Sequence, residues 1–156
     1  MKCCWRKKFW RYERPMDILI GLGNVGYKIA KSFSKHPQYK IITIDHEASA
    51  TIRIPKQDHP EKYEQNFPDI REELKDVRGD ILFIVSGASI ISGASLRILQ
   101  QIHDKGDVSI LYVHPDVDTL SETRRMQTNL VFGALQQYAR SGVFKQFYAI
   151  SNEEVD

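Results

Sequence analysis

Gly21, Gly23 and Gly26 are spaced as G-x-G-x-x-G, directly after an apolar run at residues 16–20 (MDILI) and ahead of a helical pattern. The chemistry such a loop performs is anion binding. The first glycine permits a tight turn, the second lets a phosphate come close to the backbone, and the third lets helix and strand pack closely. The helix N-terminus adds free N–H groups and a positive dipole end. Asp45 lies 19 residues beyond Gly26 and closes the β-branched run KIITID. A carboxylate there accepts from a ribose hydroxyl. Loop and acid together predict nucleotide binding, and read alone they predict an NAD(P)-binding Rossmann domain of an oxidoreductase or sensor. The competing reading is a glycine turn kept for helix–strand packing, with Asp45 as a solvated strand-end charge.

The remaining chemistry-bearing side chains form no comparable constellation. His36, His46, His59, His103 and His114 are scattered without ligand spacing; His114, which follows an apolar strand at the ligand-facing edge, is the one singled out for mutation. Ser86 and Ser92 lack a base and an orienting acid, so no nucleophilic triad is assigned. Asp116 and Asp118 read as a solvated loop rather than a metal pair, and no metal site is predicted. Cys3 and Cys4 are adjacent and the rest of the chain has no cysteine, which excludes a disulfide scaffold and a cysteine zinc site.

Elements must position the loop and the acid. Residues 16–20 read as a buried strand and residues 40–45 as a second one. Between them a helix is predicted to end at His36-Pro37. Residues 46–67 are polar and carry at most a short strand at 51–54. PDIREELKDV, residues 68–77, reads as a helix with proline in its first turn. DILFIVS, residues 80–86, is the strongest strand signal and, being apolar on both faces, belongs in the centre of a sheet. GASIISGAS then leads into a helix ending near Lys105-Gly106, followed by a strand at 108–113, a long helix at 119–140 and a last strand at 147–151. Leu120, Met126, Leu130, Phe132, Leu135 and Tyr138 are the apolar candidates of the long helix. The alternation predicts an α/β fold: a Rossmann-like three-layer sandwich with a mostly parallel sheet and helices on both faces. Ligands in such sheets bind at the carboxyl ends of the strands.

The 156-residue chain has a net charge of +2 that is unevenly spread. Residues 1–15 hold six basic residues and one acid, both tryptophans and both cysteines; the other sixteen basic and nineteen acidic residues give the remainder −3. The composition therefore divides the chain into a tail at 1–15 and a nucleotide-binding domain at 16–156. The tail reads as an arm for an acidic surface or membrane interface, as a disordered tail, or as an artefact of the assumed start site. An acidic body offers no electrostatic footprint for nucleic acid. No run of about 18 apolar residues exists to span a bilayer, and the body reads as a cytoplasmic type of domain.

The order of these features resembles the N-terminal nucleotide-binding domain of the tubulin/FtsZ superfamily, closer to FtsZ than to the tubulins, across residues 16–156. DILIGLGNVGYKIAKSF is similar to that family's first strand, phosphate loop and helix. ITIDHEA resembles its second strand and Asn-Thr-Asp-Ala loop, with Asp45 on the Asp. DILFIVSGASIISGASLRILQQI resembles the strand and glycine-rich signature, with Ser92-Gly93 on the central Thr-Gly. VSILYVHPD, SETRRM and FKQFYAISNEE follow in family order. The resemblance implies GTP or GDP, with magnesium as a candidate counter-ion. Gly21, Gly23, Asn24 and Gly26 would present N–H groups to phosphate, and Asp45 would lie at the phosphate and magnesium end. Gly87, Ser92 and Gly93 would line a second phosphate loop, Arg125 would add positive charge, and Asn152 an amide. It also implies a cytoskeletal, filament-forming GTPase whose full-length form self-associates. The chain departs from the family by placing Ser89, Ile90, Ile91 and Ser95 in the glycine run, where β-branched side chains crowd a phosphate. A loss of nucleotide that leaves only the scaffold is the third reading. The central helix and the activation domain with its acidic loop lie beyond Asp156, so catalytic residues stay unassigned and GTPase activity would need that part and a neighbouring subunit.

Overall fold

The computed structural model describes residues 17–151. Six strands form one sheet: β1 (Ile18–Leu22), β2 (Lys40–Asp45), β3 (Ile52–Arg53), β4 (Ile81–Ser86), β5 (Val108–His114) and β6 (Gln146–Ser151). Their order across the sheet is β3-β2-β1-β4-β5-β6. Every neighbouring pair is parallel. This is the doubly wound order in which the chain reverses direction across the sheet between β1 and β4. The two apolar runs at the centre behave as expected of strands with both faces covered. All five residues of β1 are buried, as are five of the six in β4.

The helices are α1 (Gly23–Ser32), α2 (Pro60–Gln65), α3 (Ser95–Ile102) and α4 (Glu122–Arg140). Alternation along the strands divides the sheet's side chains between two layers. Leu19 and Ile84 point to one face, where Ala30 of α1 packs on them. Ile18, Ile20, Phe83, Val85, Ile110 and Tyr112 point to the other, against Tyr63 of α2, Ile98 and Ile102 of α3, and Leu135 of α4. Helices on both faces of a parallel sheet make the three-layer α/β arrangement. Among the described residues no helix is long and apolar enough to cross a membrane.

Three local expectations are corrected. Residues 68–77 do not form a helix; they make turns at 71–76, and the helix of this connection is α2, earlier in the chain. Only Leu74 N–H reaches the carbonyl four residues back, on Ile70; Lys75 and Val77 donate to carbonyls three back. The Gln101 side chain holds the backbone of this segment, accepting from Ile70 N–H at 2.9 Å and donating to the Pro68 carbonyl at 3.3 Å. Ile70, Leu74 and Val77 still enter the core, so their helical spacing reflects burial and not a helix. Helix α4 starts at Glu122 rather than 119, because the Ser121 hydroxyl accepts from Arg124 N–H and caps it. Met126 and Leu130, expected on its apolar side, are 62% and 69% exposed, whereas Leu135 is fully buried.

Candidate functional site

The glycine loop forms where β1 meets α1, and its three glycines do different things. Gly21 lies within β1 and Gly26 in the first turns of α1. A Cβ on Gly21 would run into the Gly26 carbonyl, and one on Gly26 would come 2.8 Å from the Gly21 carbonyl carbon and 2.9 Å from the Ile84 carbonyl oxygen. These two glycines let α1 lie directly on the sheet. Gly23 has φ +74°, which L side chains rarely adopt. The space beside its α-carbon is not open: a Cβ there would meet Ile91 Cγ2 at 2.7 Å and Ser89 Oγ at 3.4 Å. Ile91 is 4% exposed and belongs to the core on the α3 side.

Beside this loop a cleft of about 540 Å³ opens at the carboxyl ends of β1 and β2. Asn24, Asp45, His46, Glu47 and Lys56 line it, with residues 89–91 forming the far wall. Asp45 is 9% exposed, and its Oδ1 accepts from His46 N–H at 2.7 Å. His46 lies between two carboxylates, its Nδ1 3.0 Å from Asp45 Oδ1 and its Nε2 3.1 Å from Glu47 Oε1. The Nδ1 approach is short but outside hydrogen-bonding geometry. The His46 carbonyl accepts from Arg53 Nε at 3.1 Å, which ties this loop to the neighbouring strand β3. Carboxylate acceptors on a concave wall suit hydroxyl donors such as a sugar. His46 and Lys56 were not singled out as site residues from the sequence. The signal for His46 was its place directly after Asp45 at a strand's carboxyl end.

The residues expected to form a second phosphate loop are turned to other tasks. Gly87 donates its N–H to the Val113 carbonyl and accepts from Thr128 Oγ1 at 3.0 Å. A Cβ on it would strike the Tyr112 hydroxyl, so packing accounts for this glycine. Residues 90–94 (IISGA) form a 3₁₀ turn. Ser92 is buried, and a Cβ on Gly93 would collide with the Pro60 backbone. Ser92 and Gly93 line a separate groove of about 180 Å³ between α2 and α4. Of the sequence-derived set, Asn24 and Asp45 share the cleft, while Gly87, Ser92 and Gly93 do not line it.

Arg125 is exposed on α4, and the neighbouring Arg124 donates from Nη2 to the Ala88 carbonyl, in the loop after β4, at 2.7 Å. Asn152 and the tail at 1–15 lie outside the described residues. His114 packs among aromatic rings, 4.9 Å from the Phe132 centroid and 5.6 Å from that of Tyr112. Asp116 and Asp118 form a local turn, with Asp116 Oδ1 accepting from Asp118 N–H. Among the described residues no cluster of three or more histidine, cysteine or acidic residues is placed to hold a metal ion. Tyr112 is buried and its hydroxyl has no partner, and burial pushes its pKa up to about 12.

No protein-family model matches this chain, and no curated protein matches it either. The cleft offers a carboxylate acceptor at Asp45, and the space beside the Gly23 α-carbon is filled by Ile91.

Proposed function

We propose that the domain binds a nucleotide in the cleft at the carboxyl edge of β1 and β2, with a sugar hydroxyl donating to Asp45. The observation that carries this reading is the single cleft shared by Asn24, from the glycine loop, and Asp45, from the end of the adjacent strand. A crevice outside the strand ends of a doubly wound sheet is where such folds take their ligands. A guanine nucleotide is the first ligand to test, on the resemblance to the tubulin/FtsZ superfamily. That reading carries with it a cytoplasmic, filament-forming GTPase that works with a neighbouring subunit. NAD(P) is the second, favoured by the acid that ends β2 and by Ser92-Gly93 facing α2 instead of the glycine loop.

Calorimetric titration of the chain with GTP, GDP and NAD(H), each with and without magnesium, tests the proposal. Saturable binding that weakens in Asp45→Asn is the expected result. Binding of NAD alone would remove the guanine reading. Binding of none would leave a nucleotide-free scaffold.

A further inference from the structure

The filled space at Gly23 bears on which part of a nucleotide the protein can hold, and the following rests on the cleft being a nucleotide site. We infer that Ile91 is a specificity-determining residue that keeps phosphate out of the glycine loop, so that the cleft recognises the nucleoside part of its ligand. The second glycine of this loop type is useful because its missing side chain leaves room for phosphate at the backbone. Here Ile91 Cγ2, 2.7 Å from the missing Cβ position, occupies that room. The space beside the Gly23 α-carbon, at the start of α1, is thus taken by an aliphatic side chain.

Ile91 is not a loose lid. It belongs to the 3₁₀ turn at 90–94, which is wedged against the Pro60 backbone at Gly93 and tied to α3 by Ser95 Oγ donating to the Ser92 carbonyl at 2.6 Å. Ala94 and Ser95 behind it are fully buried. Swinging Ile91 aside would disturb three packed elements. Charge acts in the same direction. Asp45 and Glu47 face the cleft with Lys56, so a phosphate entering it meets two carboxylates and one ammonium group. A sugar or base, which donates hydrogen bonds and carries no charge, avoids both obstacles.

Inorganic pyrophosphate, titrated into the full ¹⁵N-labelled chain while the amide signals of residues 23–26 are followed, isolates the phosphate position from the rest of the cleft. Wild type should show no saturable shift. Ile91→Ala and Ile91→Leu both remove Cγ2, the second with little change in volume and so little risk to folding. Both should give saturable shifts, with pyrophosphate bound roughly 10- to 100-fold more tightly than the weakest affinity the wild-type titration can detect, the range expected of hydrogen bonds to a charged group. Ile91→Val keeps Cγ2 and should behave as wild type. Saturable shifts of equal size in wild type, or none in either opened variant, would overturn the role given to Ile91. Guanosine and adenosine titrated into wild type read the cleft separately. Failure of both to bind would sink the nucleotide-site reading and with it the ligand selectivity, whereas nucleoside binding without a pyrophosphate gain in the variants would sink the Ile91 inference alone.

Discussion

Gly26 of α1 rests on Gly21 of β1 so closely that a Cβ on Gly26 would lie 2.8 Å from the Gly21 carbonyl carbon. The third backbone in this contact is β4, whose Ile84 carbonyl lies 2.9 Å from the same position. Helix, first strand and fourth strand therefore meet where the winding of the sheet reverses, beside the candidate site. Gly26→Ala and Gly21→Ala should each destabilise the fold by about 1–3 kcal/mol, the usual cost of overpacking. Gly133, in α4, has nothing within 4 Å of a built Cβ. Gly133→Ala should instead stabilise by about 0.5–1 kcal/mol through helix propensity. Urea midpoints of the three variants give the signs directly, and a shared sign would contradict the packing.

Tyr112 offers a prediction about pH. Its hydroxyl is buried without a partner against Gly87, and burial raises its pKa to about 12. The unfolded chain ionises this group near its ordinary value of about 10, while the folded protein holds it neutral. Stability linked to Tyr112 is thus fully present below pH 10 and is lost as pH rises through about 12, on the order of 2–3 kcal/mol in all. Tyr112→Phe should be nearly neutral or stabilising at pH 7, since it deletes an unsatisfied polar group. It should also lose less stability than wild type between pH 10 and 12, as measured by denaturant unfolding at stepped pH.

Arg124 clamps the loop after β4 through the Ala88 carbonyl, and its Nη1 donates to Gln127 Oε1 at 2.8 Å. Arg124→Ala should speed hydrogen exchange in residues 87–91 and lower stability by about 0.5–1.5 kcal/mol, the range of one modest hydrogen bond. Mass spectrometry of exchange in wild type and variant checks this, and unchanged protection of residues 87–91 would remove the positioning role of Arg124.

At the cleft, Asp45→Asn keeps the shape of the side chain and removes its charge. Affinity for a nucleoside should fall about tenfold, as expected for losing a charge-assisted hydrogen bond. Glu47 is largely exposed, and Glu47→Gln should change affinity less. Calorimetry on the two variants ranks them. A larger loss at Glu47 would move the sugar away from Asp45.

The central strands were legible because parallel strands buried on both faces must be near-continuously apolar, and residues 18–22 and 81–85 are. Alternation of those runs with helical periodicity predicted a parallel sheet with helices on both faces. Asn24 and Asp45 were legible as a pair because each ends or follows a strand, and neighbouring parallel strands bring such ends together. The helix expected at 68–77 was not formed, because apolar spacing reports which residues are buried. The hydrogen bonds Gln101 makes with Ile70 and Pro68, 31 and 33 residues away, belong to tertiary structure.

The sequence by itself determined that a G-x-G-x-x-G turn joins a buried strand to a helix, and that two bulky isoleucines, Ile90 and Ile91, follow the apolar strand ending at Ser86. Local spacing suffices for both, since backbone angles and side-chain volume are properties of the residues themselves. Only the tertiary structure decided which atoms the glycines face. Gly21 and Gly26 face each other, Gly87 faces Tyr112, Gly93 faces Pro60, and Gly23 faces Ile91. A glycine's empty side is defined by whatever packs there, and these neighbours are brought in by sheet order and helix docking from as far as 68 residues along the chain.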